Sequence, residues 1–428
     1  MLKRYGTGLA RYTIGAAAAR TGDEMSGPAL LLASLAATGS AATASALLAG
    51  LTVAAAVGGP LIGALLDRTP RPGRLLSAAL AGYAAALLVV LGCLGRVPTA
   101  LTLAVAVLAG LLGPAIAGGW TSQLPGVVTP RALPRANAYD AMTFNAAGLL
   151  GPALAGLAAH LAGADAAVVV SAALVALALP VALALPPRTD RNATDGPTGS
   201  IRADLAAGFR AIVRIAPLAR ATKTSAISCA GQGMLIACAP LIGQQALGGT
   251  SQGTVLLSVV ALAALATNAL LARHPAPLSP DAVVGWSTAV LALALALAAT
   301  VHPVALLAAA VLLGAAEGPQ LTAVFAIRHR EAPHRLRGQI FTTGASVKLS
   351  GFAVGAAAAG PLATRSLPLA LLTAAAVQLL ALLCHAPWRR PDPFGPPRSS
   401  DDAPSRRIDA QGATQAGADG RTGAAGER

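Results

Sequence analysis

The chain has 428 residues, of which 55% are hydrophobic and only 11% charged, and its net charge is +14. A soluble protein of this length carries about 25% charged residues, so a fully water-covered surface is excluded and lipid is the natural partner of the apolar surplus. The positive balance does not make a nucleic-acid binder, because the basic residues are spread thinly between apolar runs and no aromatic platform accompanies them.

A membrane-crossing helix needs about 20 mostly apolar residues. The sequence predicts twelve, over 12–36, 41–65, 74–95, 98–124, 138–162, 165–186, 222–247, 252–272, 281–300, 303–325, 339–363 and 366–386. The first follows the basic stretch MLKRYGTGLARY and contains Arg20, Asp23 and Glu24. A cleavable signal's apolar core would not tolerate those charges, so the run is read as a retained spanning helix. Between the second and third runs, Gly59 to Leu75 reads GPLIGALLDRTPRPGRL, a tight charged hairpin. After the sixth run, the first part of 187–221 is polar and turn-rich and reads as a flexible linker. Its second part places Ile201, Leu205, Phe209, Ile212 and Val213 at helical spacing, with Arg202, Arg210 and Arg214 elsewhere on the wheel. That pattern predicts an amphipathic helix on the cytoplasmic leaflet.

The division that follows is a six-helix bundle over 1–187, a cytoplasmic linker with its amphipathic helix over 188–221, a second six-helix bundle over 222–388, and a disordered cytoplasmic tail over 389–428, where no periodicity remains. Cys93, Cys229, Cys238 and Cys384 lie in apolar runs without Cys-x-x-Cys spacing. No disulfide, metal site or cofactor is expected. No phosphate-binding Gly-x-x-x-x-Gly-Lys-Ser/Thr loop occurs. The scattered histidines and the absence of an Asp-rich motif argue against a membrane-embedded enzyme.

Orientation follows from the Lys and Arg in the connections. With the N-terminus inside, all but four of the 31 basic residues fall in inside segments or at the helix ends beside them. The exceptions are Arg96 and Arg365, outside, and Arg20 and Lys348, within helices. Both termini are therefore expected in the cytoplasm. Trp120, Trp286 and Trp388 are expected as interfacial anchors.

A faint repeat relates the halves. Arg135-Ala-Asn opens the fifth span, which continues to Gly151-Pro and Gly156; Arg337-Gly-Gln opens the eleventh, which continues to Gly355 and Gly360-Pro. The two bundles read as parallel copies. The hairpin after the second span reads Gly63-Ala-Leu-Leu-Asp67-Arg68-Thr-Pro-Arg71-Pro-Gly-Arg74. It resembles the Gly-x-Leu-x-Asp-Arg motif of the major facilitator superfamily, with Pro70 where the family has glycine. Arg20-Thr-Gly-Asp23, Arg135-Ala-Asn, and Ala326-Ile-Arg328 with Arg335-Leu-Arg337-Gly338 are similar to a drug- and metabolite-efflux branch of that family. The resemblance covers about residues 1–388. Ala147 stands where that branch's fifth span has a glycine, and the fourth span lacks the arginine of many proton-coupled members.

The resemblance implies an all-α integral membrane fold of twelve helices in two six-helix bundles. It also implies a cytoplasmic gate in which Asp67 faces the positive N-terminus of a helix from the opposite half. Gly63, Asp67, Arg68, Arg71, Arg74, Arg135 and Asp140 are the candidate gate residues, with Asp140 networked to Arg131 and Arg135. Charges inside a membrane usually mark a cavity or ion path. Arg20, Asp23, Glu24, Glu317 and Lys348 all fall on spans that border the cavity in this family. Arg20 is three and four residues from Asp23 and Glu24, so it is expected to neutralise one acid on its own helix face. The remaining acid, about 12–18 Å into the bilayer, becomes the proton-coupling or cation-binding candidate. Glu317, in a stretch loosened by Gly and Pro, is a substrate or proton candidate, with pairing to Lys348 as the alternative. Asn145, Gln232, Asn268 and Gln320 offer hydrogen bonds to a substrate or, more commonly, between helices. The expected function is proton-coupled efflux of a small amphipathic drug or metabolite by a monomer in the cell's inner membrane. An uptake or uniport carrier and a non-transporting sensor are the alternatives.

Overall fold

Runs dominated by Ala and Leu favour helix and lose little side-chain entropy in it. In lipid, a helix also satisfies every backbone group within its own segment. The computed structural model describes residues 2–187, 200–274 and 278–386, and the predicted tail, the polar part of the linker and Trp388 lie outside them. In chain order the helices are α1 Leu2–Thr38, α2 Ala41–Arg68, α3 Pro72–Cys93, α4 Thr99–Pro114, α5 Leu133–Ala162 and α6 Ala164–Leu177. There follow α7 Ile201–Arg214, α8 Ala216–Ala246, α9 Thr250–Arg273, α10 Pro280–Ala298, α11 Pro303–Glu331, α12 Arg337–Ala363 and α13 Leu367–His385. Apart from α7, these are the twelve predicted spans. Ten are long and apolar enough to cross a membrane by length and composition. The other two, α1 and α12, carry Arg20, Asp23, Glu24 and Lys348.

Several ends differ from expectation for local reasons. α1 begins ten residues early, because nothing in its basic start breaks a helix. α8 starts at Ala216, where Pro217 fits the first turn, which has no N–H partner to lose. α4 passes into one wide turn, Ala115–Gly119, with five-residue hydrogen bonding. That turn carries Trp120 inward against Tyr12, ring centres 6.0 Å apart, and the tryptophan is fully buried. Trp120 is thus a core residue and not the interfacial anchor expected from sequence. Trp286, 68% exposed, does face outward.

One core gathers residues of α1–α6, among them Met25, Leu47, Leu80, Trp120 and Val168. A second gathers residues of α8–α13, among them Met234, Leu291, Leu306 and Leu371. Across the seam α2 packs on α12, and α5 on α9 and α11. α7 forms where the amphipathic pattern predicted it, with Ser200 capping its start. It is seated on the helix bundle, not free of it: Ile212 and Gly208 are buried, and Ile212 packs with Leu218, Leu336 and Ile340. Phe209 and Val213 stay exposed.

Candidate functional site

The connections 69–71 and 332–336 mark one end of the bundle, the basic end. There α2 finishes at Arg68 and α12 begins at Arg337. The first N–H groups of a helix have no partner inside it, and the dipole makes that terminus attractive to a carboxylate. Asp67 fills the position. Its two carboxylate oxygens accept from the backbone N–H of Gly338 and of Gln339, each at 2.8 Å. Asp67 thus meets the N-terminus of a helix from the other half of the chain. Gly63, one turn earlier, lets the backbones close up, because a methyl group there would overlap Gln339 and Thr342. Further along the seam, the Ser346 hydroxyl donates to the Ala55 carbonyl at 2.5 Å. Arg68 also reaches sideways, where its Nε meets Asp204 of α7 at 2.5 Å. Gln339 Nε2 donates to the Leu205 carbonyl at 3.0 Å, tying α7 to the same junction. Arg71 and Arg74 are exposed and form no ion pair among the described residues.

Asp140 is not part of the Asp67 junction and makes no ion pair with Arg135 among the described residues. Arg135 is exposed and donates to the Tyr139 hydroxyl at 3.0 Å. Asp140 is buried and pairs with Arg20 at 2.9 Å. It also accepts from Tyr12 and Thr121, both at 2.8 Å. Arg20 further donates to Thr121 at 2.9 Å and to Thr143, and its guanidinium lies 3.7 Å from the centre of the Phe144 ring. This corrects the expected neutralisation of Asp23 or Glu24 by Arg20. A buried arginine needs a counter-charge and several acceptors together, and α5 with Thr121 supplies both, whereas the acids on its own helix turn elsewhere.

Asp23 accepts from the Tyr83 hydroxyl at 2.7 Å, and Ser26 lies 2.9 Å from the same hydroxyl. Glu24 is exposed although Arg20 and Met25 beside it are buried. Lys348 of α12 stands within electrostatic reach both of Glu24 and of Glu317 on α11. None of the three closes an ion pair with another. On α5, the Asn145 amide nitrogen is buried with no hydrogen-bond partner among the described residues.

Gln320 lies apart from this group. It is buried inside the second bundle, where its amide nitrogen donates to Thr288 at 2.8 Å and lies 3.3 Å from Ser228. It joins α8, α10 and α11 and does not face the space between the halves. Asn268 likewise accepts from Thr322 at 3.1 Å, and Gln232 accepts from the Cys229 thiol.

Sequence reasoning did not find the aromatic bridge. Phe144 of α5 stacks on Phe325 of α11 at 5.7 Å, and Phe325 on Phe341 of α12 at 6.1 Å. Three of the six phenylalanines thus meet at the seam. That scarcity was the available signal, since a rare bulky ring in an Ala-rich helix fills a place that alanine leaves open. Arg328 and His329, both buried, flank Phe341, with the Arg328 guanidinium 5.9 Å from the ring centre.

Twelve long helices in two cores, with ionisable groups held between them, define a multi-pass membrane protein. The sequence matches the Major Facilitator Superfamily model over residues 12–280, and the chain belongs to that family of transporters. Its fold is similar to the human organic anion transporter MFSD10 (TETRAN), at 17% identity and a TM-score of 0.71 over 88% of this chain and 98% of that one. It is similar to a bacterial homologue of the iron transporter ferroportin in an outward-facing state, at 15% identity and 0.70 over 88% and 98%. The proton:xylose symporter XylE, at 13% identity, gives 0.68 over 89% and 95%. At these identities the likeness concerns fold alone. No curated protein matches the sequence.

Proposed function

We propose that this chain is a proton-coupled secondary transporter that exports a small amphipathic drug or metabolite by alternating access. The basic end is cytoplasmic, as the positive-inside rule requires, so the conformation described is closed to the cytoplasm. The supporting observation is the trio Glu24, Lys348 and Glu317. One cation is within electrostatic reach of two carboxylates, the three groups sit on three helices, and among the described residues no ion pair consumes any of them. Such an arrangement lets protonation of either acid change the charge balance of the space between the halves. A substrate with a cationic group would compete for the same carboxylates, which couples its release to proton uptake. Asp23, held by Tyr83, is the second proton candidate, and Asn145 offers a donor to the substrate. The efflux-like stretches at Arg20–Asp23 and Arg335–Gly338 support the outward direction. The protein is read as a monomer in the cell's inner membrane, and proton, substrate and lipid are its partners.

The test is transport in proteoliposomes under an imposed pH gradient, read for the wild type and for Asp23→Asn, Glu24→Gln and Glu317→Gln. The expected result is gradient-driven flux in the wild type and gradient-independent flux in at least one variant. If all four proteins carry a substrate with the same pH dependence, the coupling proposal fails. Reaction of single cysteines placed at 69–71 with a reagent added from outside the cell would overturn the orientation.

A further inference from the structure

A cleft of about 250 Å³ lies at the basic end between α7 and the turn that precedes α12, lined by Ala207, Arg210, Ala211, Arg214, Pro333, Arg335 and Leu336. Three arginines share it and no carboxylate does. The one acid on α7, Asp204, is taken by Arg68. Three like charges around one cleft repel one another and call for an anion. A guanidinium offers paired N–H donors that match phosphate geometry. The floor beneath them, Ala207, Ala211 and Leu336, is apolar. Beside Arg210 on the same helix, Phe209 and Val213 are 47% and 68% exposed. A basic strip next to an uncovered apolar strip is the pattern of a helix seated in a lipid interface.

We infer that this cleft binds the phosphate headgroup of an anionic phospholipid, with Arg210, Arg214 and Arg335 on the phosphate and Phe209 and Val213 against the acyl region. The inference rests on the orientation proposed above. It also connects to the gate. Leu336 forms part of the cleft and stands two residues before Gly338, whose N–H holds Asp67. Gln339 binds the backbone of α7 at Leu205. A headgroup that clamps α7 to the 333–336 turn therefore stabilises the closed basic end. Anionic lipid becomes a regulator of the transport cycle, distinct from the substrate.

The experiment uses the full chain in nanodiscs of phosphatidylcholine with graded phosphatidylglycerol, and it reads retained lipid by native mass spectrometry with no substrate present. The wild type is compared with Arg210→Gln/Arg214→Gln/Arg335→Gln. The control is Arg11→Gln/Arg131→Gln/Arg273→Gln, which removes equal charge from exposed positions near the same end. Each cleft arginine is expected to contribute about fivefold to affinity, so the cleft variant loses roughly a hundredfold and the control stays within a few-fold of wild type. Equal losses in both variants would overturn the site in favour of diffuse surface charge. Displacement of phosphatidylglycerol by millimolar inorganic phosphate would overturn the lipid as occupant in favour of a soluble anion. Because binding is read without transport, failure here leaves the proton-coupling test untouched. Failure of that test likewise leaves this one standing.

Discussion

Arg20 and Asp140 meet at 2.9 Å across 120 residues of sequence, and neither side chain is more than 2% exposed. The pair fastens α1 to α5 within the first bundle. Removing one partner of a buried pair leaves the other charge without compensation, which costs about 3–5 kcal/mol. Asp140→Asn and Arg20→Met are each expected to lower the melting temperature of the purified protein strongly. The double variant Arg20→Met/Asp140→Leu should lose less than the sum of the two. Single variants that melt with the wild type would show that the pair does not hold these helices together.

At the seam, Asp67 makes two charge-assisted bonds to the start of α12, worth roughly 1.5–3 kcal/mol each. Asp67→Ala should therefore shift the closed–open balance of the basic end by at least about tenfold. The readout is the reactivity of Ser346→Cys, placed where the hydroxyl bonds Ala55, in a background with the four native cysteines changed to alanine. The reaction with a water-soluble thiol reagent should accelerate by about that factor. Gly63→Leu should act in the same direction by separating α2 from α12. An unchanged rate in both variants would mean that this contact does not keep the end shut.

These two contacts differ in how far the sequence disclosed them. Asp67 was legible because its chemistry is local at both ends, an acid closing one helix and a fresh N-terminus opening another. The Arg20–Asp140 pair was not. Spacing along α1 pointed to Asp23 and Glu24, but helical proximity competes with whatever the neighbouring helix offers, and only packing reveals Thr121, Thr143 and Asp140 at one point. Gln320 was misplaced for the same reason. A polar residue on a cavity-bordering helix can point either way around it, and here it turns to Ser228 and Thr288. Ten of the spans are readable from apolar length alone and the two that carry Arg20, Asp23, Glu24 and Lys348 are not, while the inward turn of Trp120 depended on one wide turn in α4.

Phe325 touches Phe144 on one side of the seam and Phe341 on the other. Phe325→Ala removes a buried ring, a change that costs about 3–5 kcal/mol in a packed core. Because the ring joins the halves, part of that loss should appear as an opened basic end as well as lower thermal stability. The Ser346→Cys reporter should thus react faster in Phe325→Ala but not in Leu291→Ala, a cavity of similar kind wholly within the second bundle. Equal acceleration in both would mean that general loosening, and not the bridge, controls access.

Tyr83 is placed to tune Asp23, since its hydroxyl donates to the carboxylate at 2.7 Å. Tyr83→Phe keeps the ring and removes the bond. The pH at which transport is half-maximal should move in Tyr83→Phe while the maximal rate stays close to wild type, with Tyr139→Phe as the unaffected comparison. A profile that coincides with wild type would remove Asp23 from the proton path and leave Glu24 and Glu317 as the candidates.

Arg68 follows Asp67 in the same motif, yet the two should differ in weight. The Arg68–Asp204 pair is short, 2.5 Å, but its partners are 23% and 35% exposed. Exposed pairs typically contribute about 0.2–1 kcal/mol and weaken with salt. A double-mutant cycle with Arg68→Ala and Asp204→Ala should give a coupling in that range that vanishes near 1 M salt, while the effect of Asp67→Ala on the Ser346→Cys reporter persists there. Asp67 keeps its influence because two backbone donors and a helix terminus address it directly. A salt-resistant coupling of several kcal/mol between Arg68 and Asp204 would reverse this ranking and make α7, and not the start of α12, the principal latch.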